Sequence, residues 1–85
     1  MLDTMSCLEQ FASATRTHID LSVRVLRGGP GAVRVRNRFS ETLIEDVTLS
    51  PQGAFLTSWG YRLGTVDDIE SAAARLAYLL AALPA

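Results

Sequence analysis

Leu21-Ser22-Val23-Arg24-Val25-Leu26-Arg27-Gly28-Gly29-Pro30-Gly31-Ala32-Val33-Arg34-Val35-Arg36 is the stretch on which the fold turns. Leu21, Val23 and Val25 alternate with Ser22, Arg24 and Leu26, the period of a half-buried strand that opens near Ile19. Gly28 to Gly31 admits only a turn or loop. Val33 and Val35 then alternate with Arg34 and Arg36, so the period of two resumes. Two such runs around a glycine loop predict an antiparallel hairpin.

Reading downstream, a third strand is predicted over about Thr42 to Leu49, and Ser50-Pro51-Gln52-Gly53 turns into a fourth over Ala54 to Trp59. The third strand alternates imperfectly. Leu43, Glu45, Val47 and Leu49 fall on one face and Ile44, Asp46 and Thr48 on the other. A bulge near Glu45-Asp46 would repair the pattern. Upstream, Leu2, Met5, Leu8, Phe11 or Ala12, and Thr15 recur at helical spacing, which predicts a helix over about Asp3 to His18. Asp3 or Thr4 can cap it, and Ser6 with Glu9 has capping-box spacing.

At the other end, Thr65 reads as an N-cap, with Asp67, Asp68 and Glu70 at the positive end of the helix dipole. Val66, Ile69, Ala72, Ala73, Leu76, Leu79, Leu80 and Leu83 form a wide apolar stripe that Pro84 ends. The expectation is an α+β domain spanning residues 1–85, of order α-β-β-β-β-α. Its four-stranded antiparallel sheet carries both helices packed on one face.

Eighty-five residues, 48% of them hydrophobic, suit one small domain with a thin stability margin. Pairing hides surface that so short a chain cannot cover, hence a homodimer is one expectation. All eight basic residues are Arg, whose planar fork grips carboxylates and phosphates more selectively than Lys. Cys7 is the single cysteine and sits in the apolar helical pattern, which fits a reduced, partly buried thiol. No signal-peptide pattern opens the chain, and the apolar run near the end is broken by Arg75. A cytoplasmic protein with no membrane contact is expected.

Little in the chain reads as catalytic machinery. His18 is the single histidine, and one His, one Cys and scattered carboxylates lack zinc-ligand spacing. Asp67 and Asp68 could pair with Glu45 and Asp46 as a carboxylate site, but their place at a helix start accounts for them. The Gly28–Gly31 loop is followed by a strand, not by the Lys and helix N-terminus that a phosphate cradle needs. No catalytic residue, metal site or cofactor is therefore expected.

Charge says more. From Arg16 to Arg38 six arginines stand against Asp20 alone, whereas from Phe39 to Glu70 six carboxylates stand against Arg62. Strand spacing sets Arg34, Arg36 and Arg38 in a row with Arg24 on the facing strand. Cross-strand pairing of Arg34 with Glu45 or Asp46 would neutralise part of the row. An exposed remainder would meet an acidic protein surface or a phosphate backbone. The net charge of −1 and pI near 5.7 weigh against nucleic acid. Phe55, Trp59 and Tyr61 share strand parity and lead into Arg62, so they are either core or, on the open face, part of a Trp/Tyr/Arg interface.

The stretch Trp59-Gly60-Tyr61-Arg62-Leu63-Gly64-Thr65-Val66-Asp67-Asp68, with Ala72, Ala73 and Leu76, resembles short uncharacterised actinobacterial α+β proteins of the Streptomyces type. The likeness reaches loosely back to Val33–Asn37. It implies an accessory role beside transcriptional regulators or biosynthetic clusters and supplies no catalytic residues. The motif also reads structurally, as strand end, glycine turn and capped helix.

The functional expectation is a non-catalytic protein-interaction or regulatory module, acting as a homodimer or in a hetero-complex. Its interaction surface comprises Arg24, Arg34, Arg36, Arg38, Trp59, Tyr61 and Arg62. The alternatives are a small-ligand binder or minimal enzyme with a pocket between sheet and helices around Trp59, Tyr61 and Asp67 or Asp68, and, third, a nucleic-acid binder through the Arg-rich sheet face.

Overall fold

The computed structural model describes residues 3–18 and 20–81. Leu2, Ile19, Leu83 and Pro84, which the sequence assigned to a stripe, a strand start and a helix end, lie outside the described residues. The chain runs α1 (Thr4–Arg16), β1 (Leu21–Leu26), β2 (Ala32–Asn37), β3 (Ile44–Leu49), β4 (Ala54–Leu56), β5 (Arg62–Thr65), a 3-10 turn (Val66–Asp68) and α2 (Ile69–Leu79). The strands form one antiparallel sheet in the order β1-β2-β3-β4-β5.

The sheet has one strand more than expected. Residues 54–59 do not run as one strand, because β4 stops at Leu56. The Thr57 amide donates to the Tyr61 carbonyl and the Gly60 amide to the Thr57 carbonyl, each at 3.0 Å. Gly60 has φ +87°, which a side chain would resist, and the chain reverses there into β5. Trp59 and Tyr61 therefore flank a turn and do not continue the parity of Phe55.

Both helices lie on one face. Leu8, Phe11 and Ala12 of α1 and Ala72, Ala73 and Leu76 of α2 share one core with Leu21, Val33, Val35, Val47, Phe55 and Leu63. The Phe11 and Phe55 rings stack at 4.7 Å between centroids, joining α1 to β4. Thr15, fully buried at the last position of the α1 stripe, satisfies its hydroxyl on the Phe11 carbonyl at 2.7 Å. Asn37 is buried too. Its side chain donates to the Leu80 carbonyl at 2.8 Å and accepts from the Phe39 amide at 2.8 Å, tying the end of α2 to the β2–β3 loop.

No bulge interrupts β3 at Glu45-Asp46: Val33 pairs Val47, Arg34 pairs Asp46, Val35 pairs Glu45 and Arg36 pairs Ile44 without a slip. The irregularity lies between β4 and β5, where Phe55 opposes Gly64 but Leu56 opposes Arg62. The extra residue lets Leu63 enter the core while Gly64 still faces α2. Gly64 is thus a strand residue, not a turn. A Cβ there would sit 2.9 Å from the Ala72 Cβ and 3.2 Å from its Cα, so the helix touches the strand through two minimal side chains. Thr65 makes no capping bond; the cap of α2 is Asp68, which accepts from the Ser71 amide at 3.2 Å. The Ser71 contacts hold the exposed Asp68 carboxyl below its ordinary value. Leu79, placed in the stripe by its spacing, is exposed.

The Gly64–Ala72 contact yields a direct test. Gly64→Ala pushes α2 away from β5 and is expected to cost about 1–3 kcal/mol, read as a lower urea midpoint at unchanged slope. Stability equal to the parent would mean that the helix and strand are not in contact there.

Candidate functional site: the open face of the sheet

Because the helices take the face of Val33, Val35 and Val47, the alternate residues point outward. Register puts Arg24 opposite Arg34 and Arg34 opposite Asp46, with Ser22, Arg36 and Ile44 in the next row. Further across, Thr48 opposes Leu56 and Leu56 opposes Arg62. The outer face accordingly gathers Arg24, Arg34, Arg36 and Arg62, with Asp46 as its acid.

Arg34 grips Asp46 with both arms of its fork, Nε to Oδ1 at 2.9 Å and a terminal nitrogen to Oδ2 at 3.1 Å. Hydrogen bonding to Asp46, and then its charge, raise the Arg34 pKa further above neutrality. Of the two acids the sequence offered Arg34, register selects Asp46. Among the described residues the other ion pair, Arg27 with Glu9, joins β1's end to α1. Arg24, Arg36 and Arg62 stay exposed. Ile44, 46% exposed, is the most exposed apolar strand residue among them.

Arg38 lies just past β2. Its amide donates to the Asp20 carbonyl at 2.8 Å and its guanidinium to the Leu21 carbonyl at 3.3 Å, so it fastens the start of β1. Trp59 and Tyr61 lie in the turn between β4 and β5, next to Arg62. Trp59 donates its indole N–H to Glu45 Oε2 at 2.8 Å, and Glu45 pairs with Val35 on the helix side of β3. Tyr61 stacks on Trp59 with centroids 5.2 Å apart. The aromatic pair is thus anchored through Glu45, whereas Arg24, Arg34, Arg36 and Arg62 take outward strand positions.

Glu45 explains the imperfect alternation of β3. It occupies an inward position at the strand's first turnings, where it accepts from the Ser58 amide at 2.7 Å, from Trp59 and from the Asp46 amide at 3.1 Å. Partial burial pushes its carboxyl upward, but the Ser58, Trp59 and Asp46 hydrogen bonds outweigh that and hold it below the ordinary carboxylate value. Sequence alone did not mark Glu45 as an anchor, since its partners come from a loop read as strand.

Clefts of about 560, 480 and 450 Å³ lie elsewhere: between α1 and α2, beside His18, Asn37 and Phe39, and between α1 and β1. None of the three is lined by Trp59, Tyr61, Asp67 or Asp68, the residues a pocket between sheet and helices would use. Among the described residues no three His, Cys, Asp or Glu side chains gather as metal ligands, and no helix is long and apolar enough to cross a membrane. No known protein family, curated protein or solved structure matches the chain.

Trp59, the single tryptophan, reports on the Glu45 contact. A carboxyl lowered by folding stabilises the loop above its unfolded pKa, and that contribution is lost as pH falls through the folded value. Trp59 emission is expected to hold steady from neutrality down through the ordinary carboxylate range and to change only below it. Glu45→Gln should remove that transition. A transition in Glu45→Gln identical to the parent's would assign it to another group.

Proposed function

We propose that this chain is a non-catalytic protein-interaction module, an accessory or regulatory subunit whose open sheet face receives an acidic protein surface. The observation that supports it best is the placement of Arg24, Arg36 and Arg62, exposed and, among the described residues, without an ion-pair partner, around Ile44 and the Arg34–Asp46 pair. An exposed Ile44 flanked by Arg forks suits carboxylate recognition, where charge sets partner choice and on-rate. The same excess of positive charge opposes stacking two copies through this face, so a hetero-complex is favoured over a homodimer built there.

The carboxylates that make side-chain contacts serve the fold: Asp3 and Asp68 cap helices, Glu9 and Asp46 pair with arginines, and Glu45 holds the Trp59 turn. That employment is the support for a non-catalytic reading.

The experiment is to isolate the native complex, identify the partner, and reconstitute it with purified components. Arg24→Glu combined with Arg36→Glu is expected to weaken the complex at least about tenfold while leaving the circular-dichroism spectrum folded. Unchanged affinity would reject this face. Recovery of nucleic acid, bound with a steep salt dependence, would reject the protein-partner reading.

A further inference from the structure

β1 is an edge of the sheet, and half of its backbone turns away from β2. The Arg38 amide donates to the Asp20 carbonyl, which places Asp20, Ser22, Arg24 and Leu26 on the side bonded to β2. Leu21, Val23 and Val25 then turn their N–H and C=O outward. Leu21 is already used: its amide donates to His18 at 3.0 Å and its carbonyl accepts from Arg38. Among the described residues, Val23 and Val25 are left with two donors and two acceptors along an open edge.

That edge forms one wall of the cleft of about 450 Å³ whose other wall is α1, through Glu9, Ser13 and Arg16. Val23 and Val25 are half-buried and line it, and Arg16, Arg24 and Arg27 surround it against Glu9, which Arg27 already engages. A strand laid along β1 would bond its backbone to Val23 and Val25. Its alternate side chains would point into the cleft beneath α1 and toward the outer face.

We propose that the β1 edge and the α1–β1 cleft bind an extended acidic peptide segment, which adds to the sheet as a sixth strand. Charge decides the occupant. A second copy pairing antiparallel through Val23 and Val25 would bring Arg24 against Arg24 and crowd both sets of cleft arginines. A segment that alternates carboxylates with small apolar residues meets Arg16, Arg24 and Arg27 and fills the cleft. The proposal rests on the protein-interaction reading and names the segment of the partner that would seat there.

The test uses a capped peptide of about eight residues alternating Glu with Val, titrated into the isotopically labelled protein, with a Lys-Val peptide as control. The Glu-Val peptide is expected to shift the Val23 and Val25 amides and protect them from exchange, and the Lys-Val peptide to do neither. Val23→Pro removes an outward donor without touching the β2 ladder, and Arg16→Glu removes charge without touching the strand. Each is expected to weaken peptide binding about tenfold or more, while Arg75→Glu, exposed on α2, leaves it unchanged. Peptide-induced shifts confined to β2 and β3, or parent-like binding by both cleft variants, would overturn the edge site. So would Val23 and Val25 protection that rises with protein concentration alone, which marks a second copy. If the native partner is lost by Arg24→Glu with Arg36→Glu but both cleft variants keep it, the module reading stands and the edge site fails.

Discussion

Two short helices can cover one face of a small sheet and no more, and that limit organises the rest of this protein. Most large apolar strand residues lie on the helix side, where Phe11 meets Phe55 and Ala72 meets Gly64. The opposite face had to be made compatible with water, and Arg24, Arg34, Arg36, Asp46 and Arg62 make it so. The interaction surface is thus a consequence of the fold's economy of apolar residues. Charge alternation along β1 and β2 both keeps the face solvated and gives it a sign.

The close approach of α2 to β5 shows how local chemistry serves that arrangement. Ala72 and Ala73 contribute little volume, so the helix axis can come near the strand, and Gly64 removes the one Cβ that would hold it off. The β4–β5 irregularity then turns Leu63 inward beside Gly64, adding a large side chain to the core without moving the helix. At the far end Asn37 does the polar counterpart, with its amide on the Leu80 carbonyl and its carbonyl on the Phe39 amide. Both ends of α2 are therefore fixed by strand residues.

Most of the fold was legible because periodicity is strong where a strand has one wet face. Leu21–Leu26 and Ala32–Asn37 alternate cleanly, and the two terminal stripes mark helices at once. The failures share a cause. Thr57 to Gly60 has strand-like composition, but Gly60 takes a positive φ and Thr57 accepts from the Tyr61 amide at 3.0 Å, so tertiary hydrogen bonding overrides propensity. Once that turn was read as strand, Trp59 and Tyr61 acquired a parity they do not have. Glu45 looked like a fault in β3 for the same reason, because the amide and indole that hold it come from the missed turn. The arginine rows were visible from spacing. The unpaired Val23 and Val25 groups were not, since which residues bond outward depends on the register with β2.

The central claim is that the free protein leaves the outer face of the sheet open while the helices seal the other. Paramagnetic relaxation of side-chain methyls by a soluble, uncharged gadolinium chelate measures this directly. The account predicts strong relaxation of the Ile44 methyls and near-complete protection of Val33, Val35 and Val47. Ile44 methyls as protected as those valines, in dilute protein without a partner, would contradict it by showing that the face is already covered.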